Sequence, residues 1–278
     1  MCKVKILLLF IIAMGLKISA HQLDTEYTKE FTDLIESVYG SEFLSQGGSE
    51  SVDRMFEGQI LEDKKLLDIG SGLGGVDFYL AQKYHVDIIG VDCVSRLVDD
   101  ANKRKTTHKL IGNVTFVHQN ANGSSYPYAD NVFDIVFSKE SLLHVDDKAS
   151  LLKEIFRVLK PDGQLIILDW LVDTHELGQN IKEMMAIDGL DLKMATSQEY
   201  ETYLHDAGFT HITSSLMNNH YIRYTHDNIE KIKSHKADFI NSFGKKNYEY
   251  SLKSWTLQKK IFERNEVRAT LLKATKSQ

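Results

Sequence analysis

The chain has 278 residues, 42% hydrophobic and 26% charged, with only 2 prolines, which suits one large ordered α/β domain and excludes a disordered chain. Its formal net charge of -6 offers phosphate backbones no long-range attraction, so a small-molecule substrate is expected and no nucleic-acid partner. Cys2 and Cys93 are too few for a disulfide framework, and no Cys or paired His stands at zinc-ligand spacing, so no metal is expected.

Residues 1–20 read as a secretory signal peptide. Lys3 and Lys5 precede an apolar run over 6–16, and Ile18-Ser19-Ala20 offers small residues for cleavage before His21. That run is shorter than the ~20 residues a helix needs to cross a bilayer, so no stable membrane span is expected. A misassigned start, with Met14 as the initiator, is the alternative.

Residues 21–60 are expected to form a helical lid. Phe31, Leu34, Ile35 and Val38 recur at helical spacing over 25–38, the Gln46-Gly47-Gly48 turn breaks the chain, and a second helix follows over 49–59. From 61 onward the pattern alternates. Strands are predicted at 65–69, 86–91, 114–119, 133–138 and 165–170, with helices at 74–84, 96–104 and 148–159 between them. Such alternation implies a doubly wound parallel sheet covered on both faces.

Beyond Trp170 the pattern loosens. Thr196-Ser197-Gln198-Glu199 is a capping box opening a helix to Ala207, with Gly208 as its stop. A strand is predicted at 211–216, an amphipathic helix at 227–243 and a closing edge strand at 267–274. The stretches 171–195 and 217–262 read as insertions capping the site within one domain over 61–278.

The residues that carry chemistry begin with Leu67-Asp68-Ile69-Gly70-Ser71-Gly72-Leu73-Gly74-Gly75 at a strand-to-helix junction. Glycines let the backbone approach a ligand, and the helix N-terminus is expected to aim unpaired N–H groups at it. Asp92 closes the next strand, where a carboxylate can accept both hydroxyls of a ribose. An adenosine-containing cofactor follows. Gly70, Gly72 and Gly75 with Asp92 also satisfy a nicotinamide-dinucleotide fingerprint, so an oxidoreductase is a competing reading. Three features favour S-adenosylmethionine: Asp68 two residues before the first glycine, the Asn120-Ala121 turn before Phe133-Asp134-Ile135-Val136, and Leu159-Lys160-Pro161-Asp162-Gly163 before a strand. This set resembles the motifs of the class I methyltransferases. The Tyr79 to Lys83 pair, by contrast, reads as a surface contact on the helix after the glycine loop.

A narrower resemblance runs from Tyr27 to the C-terminus. Tyr27-Thr28, Tyr39-Gly40-Ser41-Glu42-Phe43-Leu44-Ser45-Gln46-Gly47-Gly48, Ser138-Lys139-Glu140-Ser141-Leu142-Leu143-His144 and Lys273-Ala274-Thr275-Lys276 resemble stretches of the phosphoethanolamine N-methyltransferases of parasites, nematodes and plants. The resemblance implies a catalytic dyad of Tyr27 and His144 over the amine. A near-neutral histidine can take a proton from an ammonium, which has no lone pair to accept a methyl group. It further implies Asp68, Gly70 and Gly72 around the methionyl part of the cofactor, Asp92 and Cys93 at the ribose, and Asn120 with Ala121 at the adenine edge. Leu44, Ser45 and Lys139 match further cofactor contacts, Lys139 replacing an arginine and Asn120 an aspartate.

The acceptor side departs from the family. Positions that clamp a phosphate there fall on Ala186, Leu190 and Leu192, and a later lysine falls near Gln258 or Lys259. Apolar side chains cannot bind a phosphate dianion. Either a cation such as Arg223 takes over, or the acceptor is another small amine such as a glycine or sarcosine derivative. Glu140 is expected to attract the ammonium, and Trp170, Tyr221, Tyr224 or Trp255 to cradle methylated products through cation–π contact. A used leader would take the chain away from the cytoplasm, where S-adenosylmethionine is made, so a non-catalytic secreted binding protein stands beside the enzyme as a third reading.

Overall fold

In the computed structural model, residues 27–119 and 125–277 are described. The leader expected over 1–20 and the Asn120-Ala121 turn lie outside them. Among the described residues, no helix is long and apolar enough to cross a membrane.

The chain enters through α1 (Lys29–Tyr39), whose first turn is capped by Thr28 Oγ1 accepting from Phe31 N at 3.2 Å, and α2 (Gly48–Met55). The alternating unit follows as β1 (Lys65–Ile69), α3 (Gly75–Lys83), β2 (Asp87–Asp92), α4 (Ser95–Lys105), β3 (Asn113–His118) and β4 (Phe133–Lys139). A 3-10 turn, Leu142–His144, leads to α5 (Lys148–Val158) and the long β5 (Leu159–Leu171). The remainder comprises α6 (Gln179–Asp188), α7 (Ser197–Ala207), β6 (Thr210–Leu216), α8 (Asn218–Ser234), α9 (Lys236–Glu263) and β7 (Arg268–Thr275).

The strands form a seven-stranded sheet in the order β3-β2-β1-β4-β5-β7-β6. Alternation along each strand divides the core between the two faces. Leu66, Ile88, Ile135, Phe137, Ile166 and Leu168 join one buried cluster, while Leu67, Ile69, Val91, Val136, Leu165 and Ile167 join the other. Helices cover both, which is the doubly wound α/β arrangement.

Three expectations need correction. The sheet is mixed, because β7 runs antiparallel to both β5 and β6. Strand β7 is also internal, pairing β5 from Gln164↔Thr275 to Leu171↔Arg268, and the half-exposed β6 takes the edge. Its Ala269, Leu271, Leu272 and Ala274 are all buried, as a strand covered on two faces requires. The single helix expected over 227–243 is split at His235, which leaves helical geometry at φ -106°, and a second break follows at Gly244, φ 86°. An apolar period survives such breaks, so it cannot report them.

The capping box forms as read: Glu199 N donates to Thr196 Oγ1 at 3.1 Å, Thr196 N donates to Glu199 Oε2 at 2.8 Å, and Gly208 closes α7 in the left-handed conformation. Helix α6 lies within the capping stretch 171–195, and α8 and α9 lie almost wholly within 217–262. Lid and cap share one core, since Leu34, Ile35 and Val38 of α1 pack with Ile229, Ile232, Phe239, Tyr248 and Trp255. Burying each such side chain stabilises by about 1.5–3 kcal/mol, so the lid is fastened to the cap.

Candidate active site

Strand β1 delivers Asp68 and Ile69 into a loop whose Gly70, Gly72 and Gly74 have φ of 84°, 55° and 84°. The requirement at Gly70 is steric as well as conformational, because a Cβ there would overlap Ser141 Oγ. At Gly72 a Cβ would meet Leu44 Cδ1 at 3.2 Å, so the loop and the lid approach closely here.

The loop spends its donors internally. Gly70 N and Ser71 N donate to Val91 O at 2.8 and 3.1 Å, Gly74 N to Ser71 O at 2.9 Å, and Gly72 N to Asp92 Oδ2 at 2.8 Å. Val94 N completes the seating of Asp92 through Oδ1 at 2.9 Å. The expectation of free N–H groups aimed at a ligand therefore fails for these four residues. What the loop presents is a fixed carboxylate.

A cleft opens over this loop, lined by Tyr27, Leu44, Ser45, Asp68, Gly70, Gly72, Asp92, Cys93, Lys139, Glu140 and His144 among others, so the structure brings most of the expected site residues together. Its charge is lopsided. Among the described lining residues, Glu42, Asp68, Asp92 and Glu140 face it against the ammonium of Lys139. Burial holds Asp68 well above the usual carboxylate range, helped by Asp77 and Asp92, and it also raises Asp92. Burial lowers Lys139, which donates to Ser45 Oγ at 2.5 Å and Gln46 O at 2.7 Å and lies 3.5 Å from Glu140 Oε1. The cleft suits a cation and repels a pyrophosphate.

His144 ends the 3-10 turn at the cleft. Its pKa is pushed down to about 4, first by burial and then by the ammonium of Lys148 one turn further on, which corrects the near-neutral value expected of it. Lys148 is itself buried, its Nζ donating to Val145 O at 2.7 Å and to Lys193 O, so one ammonium ties the histidine loop to the segment after α6. Tyr27 is seated through its backbone: Arg96 Nε donates to Tyr27 O at 2.8 Å, and the tyrosine ring meets Phe31 edge-on at 5.9 Å.

The acceptor side is less as expected. Glu140 does line the cleft, with φ 51° and Tyr221 OH donating to its Oε1 at 2.5 Å. Trp170 is not among the lining residues. It shares a sheet face with Ile166 and Leu168, and its ring packs edge-on against Phe262 at 5.1 Å, so strand alternation commits it to the core. Arg223 does not replace a phosphate clamp either: it bonds Glu50 and stacks over Tyr224 at 4.7 Å, half-exposed. Leu192 is buried, Ala186 exposed, and Gln258 accepts from Gln46 Nε2 at 2.7 Å. Trp255 Nε1 donates to Tyr39 OH at 3.1 Å, far along the chain. Sequence reasoning missed the contacts of Arg96 with Tyr27, Lys148 with Lys193 and Gln46 with Gln258, which span 45 to 212 residues with no local pattern to mark them. Away from the cleft, exposed Glu62, Asp63 and His85 are close enough to share a metal ion.

Comparison with known proteins adds an independent line. A methyltransferase-domain family model matches residues 67–167. The chain is 29% identical over 242 residues to phosphoethanolamine N-methyltransferase 1 of Zea mays, covering 87% of this chain and 47% of that protein. With phosphoethanolamine N-methyltransferase of Plasmodium falciparum it shares 26% over 258 residues, 91% of this chain and 94% of the other. The chain thus spans about half the length of the plant relative and nearly all of the Plasmodium one. Haemonchus contortus phosphoethanolamine N-methyltransferase 2, solved with phosphomonomethylethanolamine and S-adenosylhomocysteine, superposes with a TM-score of 0.86 at 24% identity, over 94% of this chain and 61% of that one.

Proposed function

We propose that this chain, which has a class I methyltransferase fold and resembles the phosphoethanolamine N-methyltransferases, is an S-adenosylmethionine-dependent N-methyltransferase acting on a small amine. The observation that carries the reading is the cleft's charge: four carboxyl groups against one buried lysine among the described lining residues, over a glycine loop in which the N–H groups of Gly70, Ser71, Gly72 and Gly74 are already engaged. A dinucleotide would bring a pyrophosphate against those carboxyl groups, whereas a sulfonium with an ammonium end finds acceptors.

The residues present fit the cofactor. The glycine cradle that a Cβ would fill, and the buried Asp68 Oδ1 that no protein donor satisfies, await a ligand with N–H groups. Asp68, Gly70 and Gly72 would hold its amino-acid end, Asp92 and Cys93 its ribose, with Leu44, Ser45 and Lys139 closing over it and Asn120 and Ala121 at the adenine. When bound it supplies an electrophilic methyl group.

The protein's own part is to present a neutral nitrogen. His144 is uncharged at neutral pH, so its imidazole can accept an N–H from the amine, and Glu140 draws the ammonium into the cleft. With a pKa near 4, His144 cannot store a proton taken from an alkylammonium and must hand it to solvent. Tyr27 lines the same cleft from the lid and can exclude water from it.

Phosphobase methylation follows from the likeness to the relatives. The neutral side chains at Ala186, Leu190, Leu192 and Gln258, with Lys259 paired to Glu263 and Arg223 to Glu50, favour a second reading in which the amine carries no phosphate. Incubation with S-adenosylmethionine and a panel of phosphoethanolamine, ethanolamine, glycine and sarcosine tests both. Formation of S-adenosylhomocysteine with one N-methyl product supports the proposal and selects the acceptor; no turnover across the panel defeats it.

A further inference from the structure

Asp77 stands in the first turn of α3, fully buried, and neither of its carboxyl oxygens receives a hydrogen bond from any N–H or hydroxyl donor among the described side chains. Its neighbour is Asp68 at the end of β1, which lines the cleft and whose Oδ1 is equally buried and equally unserved. The two carboxyls lie in hydrogen-bond contact with each other. Ionised carboxylates only accept, so such a contact is repulsive unless a proton lies between them. The surrounding charges sharpen the need. Asp92 on β2 adds a third buried carboxylate, and Lys139 on β4 is drawn off by Ser45, Gln46 and Glu140. On α3 itself the Asp77 amide is the group that favours ionisation of that carboxyl.

We propose that Asp68 and Asp77 share a single proton in the wall of the cleft, that Asp77 through it positions Asp68, and that this proton is displaced to solvent when a ligand's ammonium reaches Asp68. The inference rests on the cofactor reading above, because it is the amino-acid end of S-adenosylmethionine or S-adenosylhomocysteine that brings the ammonium. The balance is simple: the shared O–H bond breaks, its proton goes to water, and the ligand's N–H donates to Asp68 in its place. Asp77 acts through Asp68 and is a positioning residue.

The pH dependence follows. Burial raises both carboxyls, Asp77 to about 7 and Asp68 well above its usual range, so the pair still carries a proton at neutral pH. Binding that expels a proton is opposed by acid, so affinity for S-adenosylhomocysteine should rise with pH over the range in which the pair is protonated.

Titration calorimetry of the full chain in phosphate and in Tris, at pH 6.5 and 8.5, counts the protons. S-Adenosylhomocysteine should release well over half a proton at pH 6.5, and no more than that at pH 8.5. 5′-Methylthioadenosine keeps the ribose that Asp92 meets but lacks the ammonium, and should release none. Asp77→Asn gives Asp68 a permanent amide donor and removes its partner carboxyl, so proton release on binding S-adenosylhomocysteine should fall and the pH profile flatten relative to the unaltered protein. Should that variant fail to fold, the two-ligand proton count on the unaltered protein still decides. Binding of S-adenosylhomocysteine with no release at pH 6.5, or with a release matched by 5′-methylthioadenosine, overturns the shared proton alone. No binding of either ligand overturns the cofactor reading and this inference with it.

Discussion

The half of the sheet from β1 to β4 lines the cleft directly, whereas the cap built from α6, α8 and α9 reaches it through Tyr221, whose hydroxyl donates to Glu140, and the two encode their parts of the site differently. In the first half, function is written in backbone constraints. A residue at Gly70 must adopt φ 84° and leave room for Ser141, and Asp92 must end β2 to receive Gly72 N. Such requirements act on single positions and show in a short run of sequence. In the cap the decisive contacts are between residues far apart in the chain, such as Gln46 with Gln258 and Tyr221 with Glu140, and no local spacing reveals them.

Mutations can break this contrast, and the largest effect belongs to the backbone side. Gly70→Ala forces a Cβ into Ser141 at positive φ, so S-adenosylhomocysteine affinity should fall by about 100-fold or more, with stability lowered by roughly 1–3 kcal/mol; calorimetry and a thermal melt read the two. Wild-type affinity in that variant would show the loop to be irrelevant to the ligand.

His144→Ala comes next. It should lower kcat by about 10²–10³-fold with cofactor affinity changed less than twofold, as expected of a group that meets the amine and not the cofactor. A parallel loss of cofactor binding would move His144 to the other side of the comparison.

Lys148→Met sharpens the account of that histidine. Removing the ammonium lets the His144 pKa rise from about 4 toward its ordinary value, an upward shift that NMR titration of the imidazole would follow. The sign for stability is set by the depressed folded value. The unfolded histidine takes up a proton that the folded one refuses, so stability present above pH 6.5 is lost as pH falls toward 4, and His144→Gln should flatten that part of the curve.

Trp170→Phe should have the smallest effect on function. It trims a core contact with Phe262, costing about 1–2 kcal/mol in stability while KM for the amine stays within twofold. A tenfold rise in KM would return Trp170 to the acceptor site.

Legibility in the sequence follows the same divide. The capping box of Thr196 and Glu199 is readable because both partners fall within four residues, and the alternating strands because each needs only period two. Trp170 was misplaced toward the site because its residue type suggests cation recognition, while the strand phase shared with Ile166 and Leu168 decides where it points. Strand β7 is interior, with Ala269 to Leu272 all buried, but Thr270 and Lys273 interrupt its apolar residues and hide that continuity in the sequence. The charge of the cleft was legible only in part, since Asp68, Asp92 and Glu140 are expected at the site but Glu42 is not. Glu42, Asp68, Asp92 and Glu140 are scattered over about a hundred residues and meet only in the fold.

That charge is the central claim, and a binding titration tests it most directly. S-Adenosylhomocysteine at about 100 times its Kd should stabilise the chain by roughly 2.7 kcal/mol and raise Tm by about 5 °C or more, while NAD at the same concentration should leave it unchanged. Stabilisation by NAD with none from S-adenosylhomocysteine would contradict the account.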